Sequence, residues 1–431
     1  MELRCDVVVL GAGAAGLAAA RVLSRAGASA VVIEARERIG GRLYTREDAG
    51  PVPVELGSEF VHGPAGVSFD LLRAAHTVAV DTGGAAFTFE DGELRESEED
   101  PFDIAARVIA GASLLPEDVS IDAFLATLPA GAAADRERRW TRMLVEGFDA
   151  ADPQRASTRA LAEEWGSGEG GQTSEQFRPL GGYAHLMRTL HDALDPALVH
   201  VRLESPAHTV HRDERGVTVE ARTPAGAPLS VRARAAIVTL PAGVLNADDV
   251  RFVPELPRQL RDALSSIVMG PVRKLVLRFR TAFWERLHDG RFRDAAFFHN
   301  PGAHFPTFWT QLLVAWAGGP KADTLANRDE PGLIALALDD LRVLFGSDAD
   351  PAAELVAAYT HDWQRDPYAR GAYSYIAVGG TAARAQLAAP VDGVLFFAGE
   401  ATAPASEAGT VAGALQSGER AAREALAALS R

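Results

Sequence analysis

The hydrophobic pattern opens with a short, valine-rich apolar run, Asp6 to Leu10 (DVVVL), which predicts a buried strand. Six glycines and alanines follow (GAGAAG), and then Leu17 to Ala26, rich in alanine and leucine, predicts a helix. Ala30 to Ile33 is a second β-branched run that ends on Glu34. From Val67 to about Phe177 helical patterns alternate with acidic loops, including the solvated charge run Glu90 to Asp100, and Gly166 to Gly171 (GSGEGG) reads as a loop. Gly181-Gly182 opens a helix with apolar positions at Leu186, Met187, Leu190 and Leu194. Short strands are predicted at Val199 to Leu203, Thr209 to His211, Val217 to Ala221, Leu229 to Ala233 and Ala235 to Leu240. From Val250 to about Ala389 the pattern changes again: Val272 to Arg280 alternates like a strand, with Lys274 set in its apolar part. A last strand, Val394 to Ala398, leads through Gly399-Glu400 and Gly409-Thr410-Val411 into a long closing helix.

Strand, glycine-rich turn, helix, strand and terminal acid, in that order, form the dinucleotide fingerprint in its proper context. Gly11 permits the tight turn, Gly13 lets backbone approach a pyrophosphate, and Gly16 lets the helix sit close on the strand. The N–H groups of the first helical turn, from Ala14 on, and the positive end of the helix are then free to hold phosphate. Glu34 is placed to accept from both ribose hydroxyls. This unit alone leaves NAD and FAD open. The next stretch, Ala35-Arg36 and then Ile39-Gly40-Gly41-Arg42, resembles the extended fingerprint of FAD enzymes of the glutathione-reductase type, and an NAD site has no matching requirement.

Composition narrows the class. A chain of 431 residues is long enough for two or three domains with a sizeable core. Hydrophobic residues make up 47% and charged residues 23%, as in ordinary globular proteins. The formal net charge, 43 − 58 = −15, argues against nucleic acid and anionic membranes as partners and mildly favours cationic ligands. The single cysteine, Cys5, excludes a disulfide framework and reads as a small buried residue. No run approaches the roughly 18 apolar residues of a spanning helix. The first strand begins almost at Met1, leaving no room for a signal peptide, so a cytoplasmic location is expected. No metal-ligand spacing and no nucleophile elbow is present.

Taken together, these motifs resemble the flavin-containing amine oxidases, the group of monoamine oxidases, polyamine oxidases, some L-amino-acid oxidases and lysine-specific histone demethylases. The likeness runs in order through GAGAAG at Gly11, IGGR at Ile39, ELGSEFVHG at Glu55, PLGGYAHL at Pro179, VTLPAGVL at Val238, RKLVLRF…FW at Arg273, W…DPYARGAYSY at Trp363 and LFFAGEAT…GTVAGAL at Leu395. It implies an α/β fold: a Rossmann-like FAD-binding domain of the glutathione-reductase type, interleaved with an α+β substrate-binding domain. The FAD domain would comprise residues 1–66, 179–250 and 390–431, and the substrate domain residues 67–178 and 251–389.

The resemblance also implies roles. Gly11, Gly13, Glu34, Arg36, Gly41 and Arg42 would hold the adenosine and pyrophosphate, with Ala14, Gly16, Ala35 and Gly40 in the same cradle. Gly57, Ser58 and Glu59 would lie near the isoalloxazine, and Ala207 at the backbone contact to adenine. Gly399 and Glu400 would lie near the ribityl-phosphate region, while Gly409, Thr410 and Val411 would meet the flavin's pyrimidine edge. Lys274 matches the lysine that reaches a water near flavin N5. Tyr373 matches one wall of the family's aromatic cage. The other wall, a tyrosine in monoamine oxidases, is Thr410 here, as in histone demethylases, so a flat aromatic monoamine is not the obvious substrate. Trp363 is open to two readings, core packing or flavin contact. His62 matches a histidine of animal polyamine oxidases, and a loop histidine is also simply hydrogen-bonded in many folds.

The expected activity is oxidation of a small cationic primary or secondary amine to an imine, with dioxygen reduced to hydrogen peroxide. The absence of a cysteine in the C-terminal third implies non-covalent FAD. A desaturase or protoporphyrinogen-type oxidase on the same fold is the first alternative, and a flavin-bound interaction protein without turnover the second. Histone demethylation is disfavoured by the lack of a basic excess and of room for nucleosome-binding modules. Oligomeric state is not legible.

Overall fold

A computed structural model describes residues 1–50, 52–63, 65–90, 92–166, 175–290, 292, 295–300, 303–306, 311–346 and 349–430; the glycine-rich loop expected around 167–171 lies outside them. Within the described residues two large sheets carry the architecture. The first has the order Val199–Arg202, Ala30–Ile33, Glu2–Leu10, Pro228–Val238, Gly216–Arg222, Ala207–Asp213, Arg251–Val253, and Leu395–Phe397 also pairs with Pro228–Val238. Its centre is parallel: Val7 lies opposite both Ala30 and Ala235, and Ala236 opposite Leu395. Parallel strands are covered on both faces, which is why Val7 to Leu10 reads as an unbroken apolar run. Val7 and Val9 join one core layer, with Leu17, Leu23 and Leu186, whereas Val8 and Leu10 join the opposite layer, with Val219 and Val238.

Two strands expected at Leu229 to Ala233 and Ala235 to Leu240 are a single strand, Pro228–Val238. Arg234 breaks the apolar pattern but not the ladder. Its residue is exposed, and its guanidinium reaches the Leu429 carbonyl at 2.6 Å.

The second sheet has the order Leu355–Thr360, Val272–Phe279, Leu312–Gly318, Ala303–Pro306, Ala296–Asn300, Ala86–Glu90, Glu93–Glu96. Its strands come from both sides of the segment that builds most of the first sheet. Helices Pro101–Ala110, Ala132–Gly147 and Thr158–Gly166 pack beside it around Ile109, Leu144 and Trp165.

Helix Ala14–Arg25 and the closing helix Val411–Leu429 pack against each other and share one core layer on the same face of the first sheet. The approach is as close as backbone allows: a Cβ on Gly418 would stand 2.1 Å from the Ala15 carbonyl oxygen, and one on Gly16 would stand 1.9 Å from that of Gly11. Among the described residues no helix is long and apolar enough to cross a membrane.

Candidate active site

The nucleotide cleft is made mostly of backbone. Gly11 sits at φ +104°, a conformation that favours glycine. Helix Ala14–Arg25 starts at Gly13 with no side-chain cap, so its first N–H groups keep their positive end for a ligand. A Cβ on Gly13 would meet nothing nearer than 3.8 Å, the Gly40 carbonyl oxygen, and Gly13 bridges Gly40 across the turn. Glu34 is buried, and its two carboxylate oxygens accept from the N–H groups of Ala12 and Arg36, each at 2.8 Å. These contacts fix the carboxylate at the strand end and leave it further lone pairs. Ser205 N–H bonds the Glu34 carbonyl at 2.8 Å, which brings Ala207, at the start of its strand, to the same corner. An uncapped helix start, a glycine-lined gap and an anchored acid fit a dinucleotide. The cradle set Ala14, Ala35, Gly40 and Gly41 all belongs to this turn and its return.

Both arginines predicted to meet phosphate are engaged by carboxylates. Arg36 Nη2 lies 2.7 Å from Asp366 Oδ1, and its guanidinium lies over the Tyr368 ring. Arg42 Nη1 lies 2.9 Å from Glu400 Oε1 and donates to the Ala372 carbonyl at 2.6 Å. Burial alone would push the Glu400 carboxyl up, but Arg42 and Arg384 outweigh it and hold it below the ordinary value. Behind it runs a buried polar chain. Ser374 Oγ donates to Glu400 at 2.7 Å, Arg384 donates to Ser374 Oγ at 3.0 Å, and Arg384 pairs with Glu164 at 3.0 Å. This chain anchors the backbone next to Tyr373.

A cavity of about 440 Å³ opens beside the cleft. Its wall brings together Gly57, Ser58, Glu59, Lys274, Tyr373 and Thr410, residues scattered over more than three hundred positions, and Gly409 and Val411 join them. Lys274 sits in the buried strand Val272–Phe279 and is 3% exposed. Its Nζ lies 2.6 Å from Glu59 Oε2 and donates to the Gly57 carbonyl at 3.1 Å. Glu59 Oε1 in turn lies 3.1 Å from Arg178. A lysine in an apolar strand needs a partner, and sequence reasoning put Glu59 beside the flavin without seeing that it is that partner. The positive charge of Lys274 on the cavity wall is therefore balanced.

Tyr373 crosses the cavity wall. Its ring edge lies against Gly409, where a Cβ would be 3.6 Å from Cδ2, and its hydroxyl donates to the Phe148 carbonyl. Thr410 caps helix Val411–Leu429, its Oγ1 accepting from Gly413 N–H at 3.0 Å and donating to the Glu407 carbonyl at 2.8 Å. The hydroxyl is thus committed to the helix start, and the positive end of that helix faces the cavity.

Trp363 is not among the residues lining the cavity. It is 3% exposed, stacks edge-on to His361 and donates from Nε1 to the Leu56 carbonyl at 2.8 Å, bracing the loop before Gly57 from behind. His62 does line the cavity. Its ring packs edge-on against Phe148, its buried Nδ1 has no hydrogen-bond partner, and burial pushes its pKa down to about 4, so it is neutral near pH 7.

Three acids at or near the cavity were not singled out from sequence. Glu55 is buried two residues before Gly57; its carboxylate accepts from Tyr183 N–H at 2.7 Å and from Thr45 Oγ1, and burial raises its pKa to about 7. Asp149 and Glu164 line the cavity itself, both raised above their ordinary values, first of all by burial. Nothing in the local sequence of Asp149 or Glu164 has motif character; only their burial marks them. Among the described residues no group of three or more His, Cys, Asp or Glu is placed to hold a metal.

Comparison with known proteins agrees with this geometry. The model of the flavin-containing amine oxidoreductase family matches residues 14–426, and the chain belongs to that family. It is 29% identical over 462 residues to polyamine oxidase 4 of Oryza sativa subsp. japonica, covering 97% of this chain and 88% of that one. It is 28% identical over 485 residues to lysine-specific histone demethylase 1 homolog 3 of Arabidopsis thaliana, covering 96% of this chain but only 29% of that much longer protein. Among solved structures, wild-type putrescine oxidase bound to putrescine superposes with a TM-score of 0.82 at 24% identity, covering 99% of this chain and 100% of that one. That likeness speaks to the fold.

Proposed function

We propose that the chain binds FAD without a covalent link and oxidises a primary or secondary amine to an imine, with dioxygen as the final acceptor. The observation that carries this reading is the convergence of the Lys274–Glu59 pair, Tyr373 and the start of helix Val411–Leu429 on one cavity beside a dinucleotide cleft. FAD, when bound, supplies the electron sink for the amine's α-carbon. The helix start at Thr410 and Val411 favours negative charge next to it, typically by about 0.3–1 kcal/mol. Gly57, Ser58 and Glu59 line the same cavity, and the Lys274–Glu59 pair puts a polar but balanced group in that lining. Tyr373 is held at both ends of its ring and orients what lies against it. Phe148, Phe298 and Val314 line the same space and exclude water from the reacting carbon.

The protein's part is positioning and electrostatics. The imine is hydrolysed to a carbonyl compound and ammonia or a smaller amine, and hydrogen peroxide is the second product. Non-covalent attachment is supported by the cysteine inventory. Cys5 is the single cysteine; it lies in the first strand, its Sγ donates to the Val7 carbonyl, and burial raises its pKa to about 11. Such a thiol is a poor nucleophile.

The test is anaerobic mixing of the holoenzyme with a panel of monoamines, polyamines and amino acids. Bleaching of the flavin band by an amine, followed by catalase-sensitive peroxide when air is admitted, is the expected result. A flavin band unmoved by every amine in the panel overturns the reading.

A further inference from the structure

We propose that Arg384 is a positioning residue for the amine reaction: it holds the main chain beside Tyr373 from behind the cavity and so sets the ring against which the substrate lies. The inference rests on the amine-oxidation reading above. It adds to that reading a residue outside all eight stretches that carry the family likeness.

Arg384 lies in the short helix Ala383–Ala388 and is only 7% exposed. Its guanidinium makes four hydrogen bonds. Nη1 donates to Ser374 Oγ at 3.0 Å, and Nη2 donates to the Ser374 carbonyl at 3.1 Å. Nε and Nη2 donate to Glu164 Oε1 at 3.3 and 3.0 Å. Pairing its own helix with helix Thr158–Gly166 would need the Glu164 bonds alone. Half of the fork is instead spent on Ser374, the residue that follows Tyr373, and on two different atoms of it. A planar fork can span both atoms, whereas a single ammonium cannot.

Three consecutive carbonyls are held around Tyr373. That of Ala372 accepts from Arg42 Nη1 at 2.6 Å, that of Tyr373 from Gly270 N–H at 2.7 Å, and that of Ser374 from Arg384. Glu400 joins the two arginines. Its Oε1 lies 2.9 Å from Arg42 Nη1, and its Oε2 accepts from Ser374 Oγ at 2.7 Å. Burial opposes charge on Glu400, but Arg42 and Arg384 outweigh it, so the carboxylate persists to hold both ends. The carbonyl that Arg384 grips also lies under the closing helix. A Cβ on Gly409 would stand 3.6 Å from Tyr373 Cδ2 and 4.0 Å from the Ser374 carbonyl oxygen. Turning the peptide after Tyr373 would therefore disturb the ring and the helix start together. Tyr373, Ser374 and Glu164 line the cavity and Arg384 does not, so Arg384 acts through the tyrosine.

This placement separates the two half-reactions. Loss of electrons from the amine's α-carbon needs the substrate held in one pose, and a displaced ring loses that pose. Reoxidation by dioxygen needs no such pose.

The experiment is stopped-flow of both halves, using the fastest amine of the panel, on wild type, Arg384→Lys, Tyr373→Ala and the double variant. Arg384→Lys keeps the charge beside Glu164 and Glu400, which favours folding, but cannot grip both atoms of Ser374. We expect it to slow flavin reduction by at least about tenfold and to leave reoxidation within about twofold of wild type. Once Tyr373→Ala has removed the ring, adding Arg384→Lys should change reduction by less than about twofold. Ser374→Ala cuts the hydroxyl joint to Glu400 at little cost in volume; it should slow reduction by about threefold, again sparing reoxidation, and it decides the matter if a larger change prevents folding. Arg384→Lys that melts earlier yet reduces its flavin at the wild-type rate overturns the assignment. So does equal slowing of both halves, a loss that persists undiminished without the tyrosine ring, or wild-type reduction in Ser374→Ala. Each of these leaves amine oxidation standing. Failure of every amine in the panel to bleach wild-type flavin overturns the amine-oxidation reading and this inference with it.

Discussion

The cofactor cleft and the substrate cavity lie side by side and are built by opposite means. The cleft is made of backbone: glycines spaced so that a helix can approach a strand, an uncapped helix start, and one acid pinned by two N–H groups. The cavity is made of side chains from distant segments, with charges that are buried, paired or left over. A backbone site tolerates changes of side-chain chemistry but not added volume. A side-chain site should behave the other way.

The strongest way to break that contrast is Gly16→Ala. The added carbon would stand 1.9 Å from the Gly11 carbonyl oxygen, which is backbone and cannot step aside. We expect loss of flavin binding and destabilisation of about 3 kcal/mol or more, read by flavin content and thermal melting. A variant that purifies yellow with an unchanged melting temperature would show that the helix–strand approach is not what holds the cleft.

Glu55→Gln sharpens the other side. The folded protein holds the Glu55 proton up to a pKa of about 7, against an ordinary value of 4.5. The folded pKa is the higher one, so the contribution of Glu55 to stability is complete below the unfolded value. It is lost as pH rises from 4.5 through about 7. Glutamine cannot ionise. Denaturant titrations should therefore show wild type losing up to about 3 kcal/mol relative to Glu55→Gln across that window, with the difference level above it. A difference independent of pH would mean that Glu55 ionises alike in both states.

Lys274→Met should still fold and bind flavin. Amine-driven flavin reduction, reoxidation or both should slow by at least about tenfold, about 1.4 kcal/mol of barrier. Because the substitution strands Glu59 with Arg178 alone, adding Glu59→Gln should recover roughly 1 kcal/mol of stability without restoring the rate. Stopped-flow of both half-reactions, beside melting curves of both single variants and the double variant, separates the two effects. Wild-type rates in both halves for Lys274→Met would return the lysine to a structural role.

The smallest effect is expected at His62. With its pKa near 4, it carries no charge to lose above pH 6, so His62→Gln should leave the shape of the rate–pH profile unchanged from about pH 6 to about pH 9. A shifted inflection would mean that the histidine titrates in the working range.

The same contrast governs what the amino-acid sequence discloses on its own. The cleft was legible because its physics is local: Gly11, Gly13, Gly16 and Glu34 act through spacing along one βαβ unit. Lys274, Tyr373 and Thr410 were legible through motif likeness, and the fold brings all three to one cavity. Their partners were not. That Glu59 pairs with Lys274, that Thr410 spends its hydroxyl on a helix cap, and that Trp363 stands behind Leu56 depend on contacts between segments far apart in the chain. Asp149 was invisible for the same reason, since an aspartate in a helix-to-loop junction looks like surface until its burial is known.

The seam between the first helix and the closing helix has a consequence for synthesis. Leu17, Ala18 and Leu23 share one core layer with Ala421, Ala422 and Ala425, and Gly418 seats on Ala15. On the ribosome the first βαβ unit emerges some four hundred residues before its cover does. Its apolar flank must wait, uncovered, while both halves of the second sheet are made, and such a delay is where nascent chains turn to chaperones. A message interrupted before Val411 would thus yield a chain that carries every glycine of the fingerprint and still cannot retain the nucleotide.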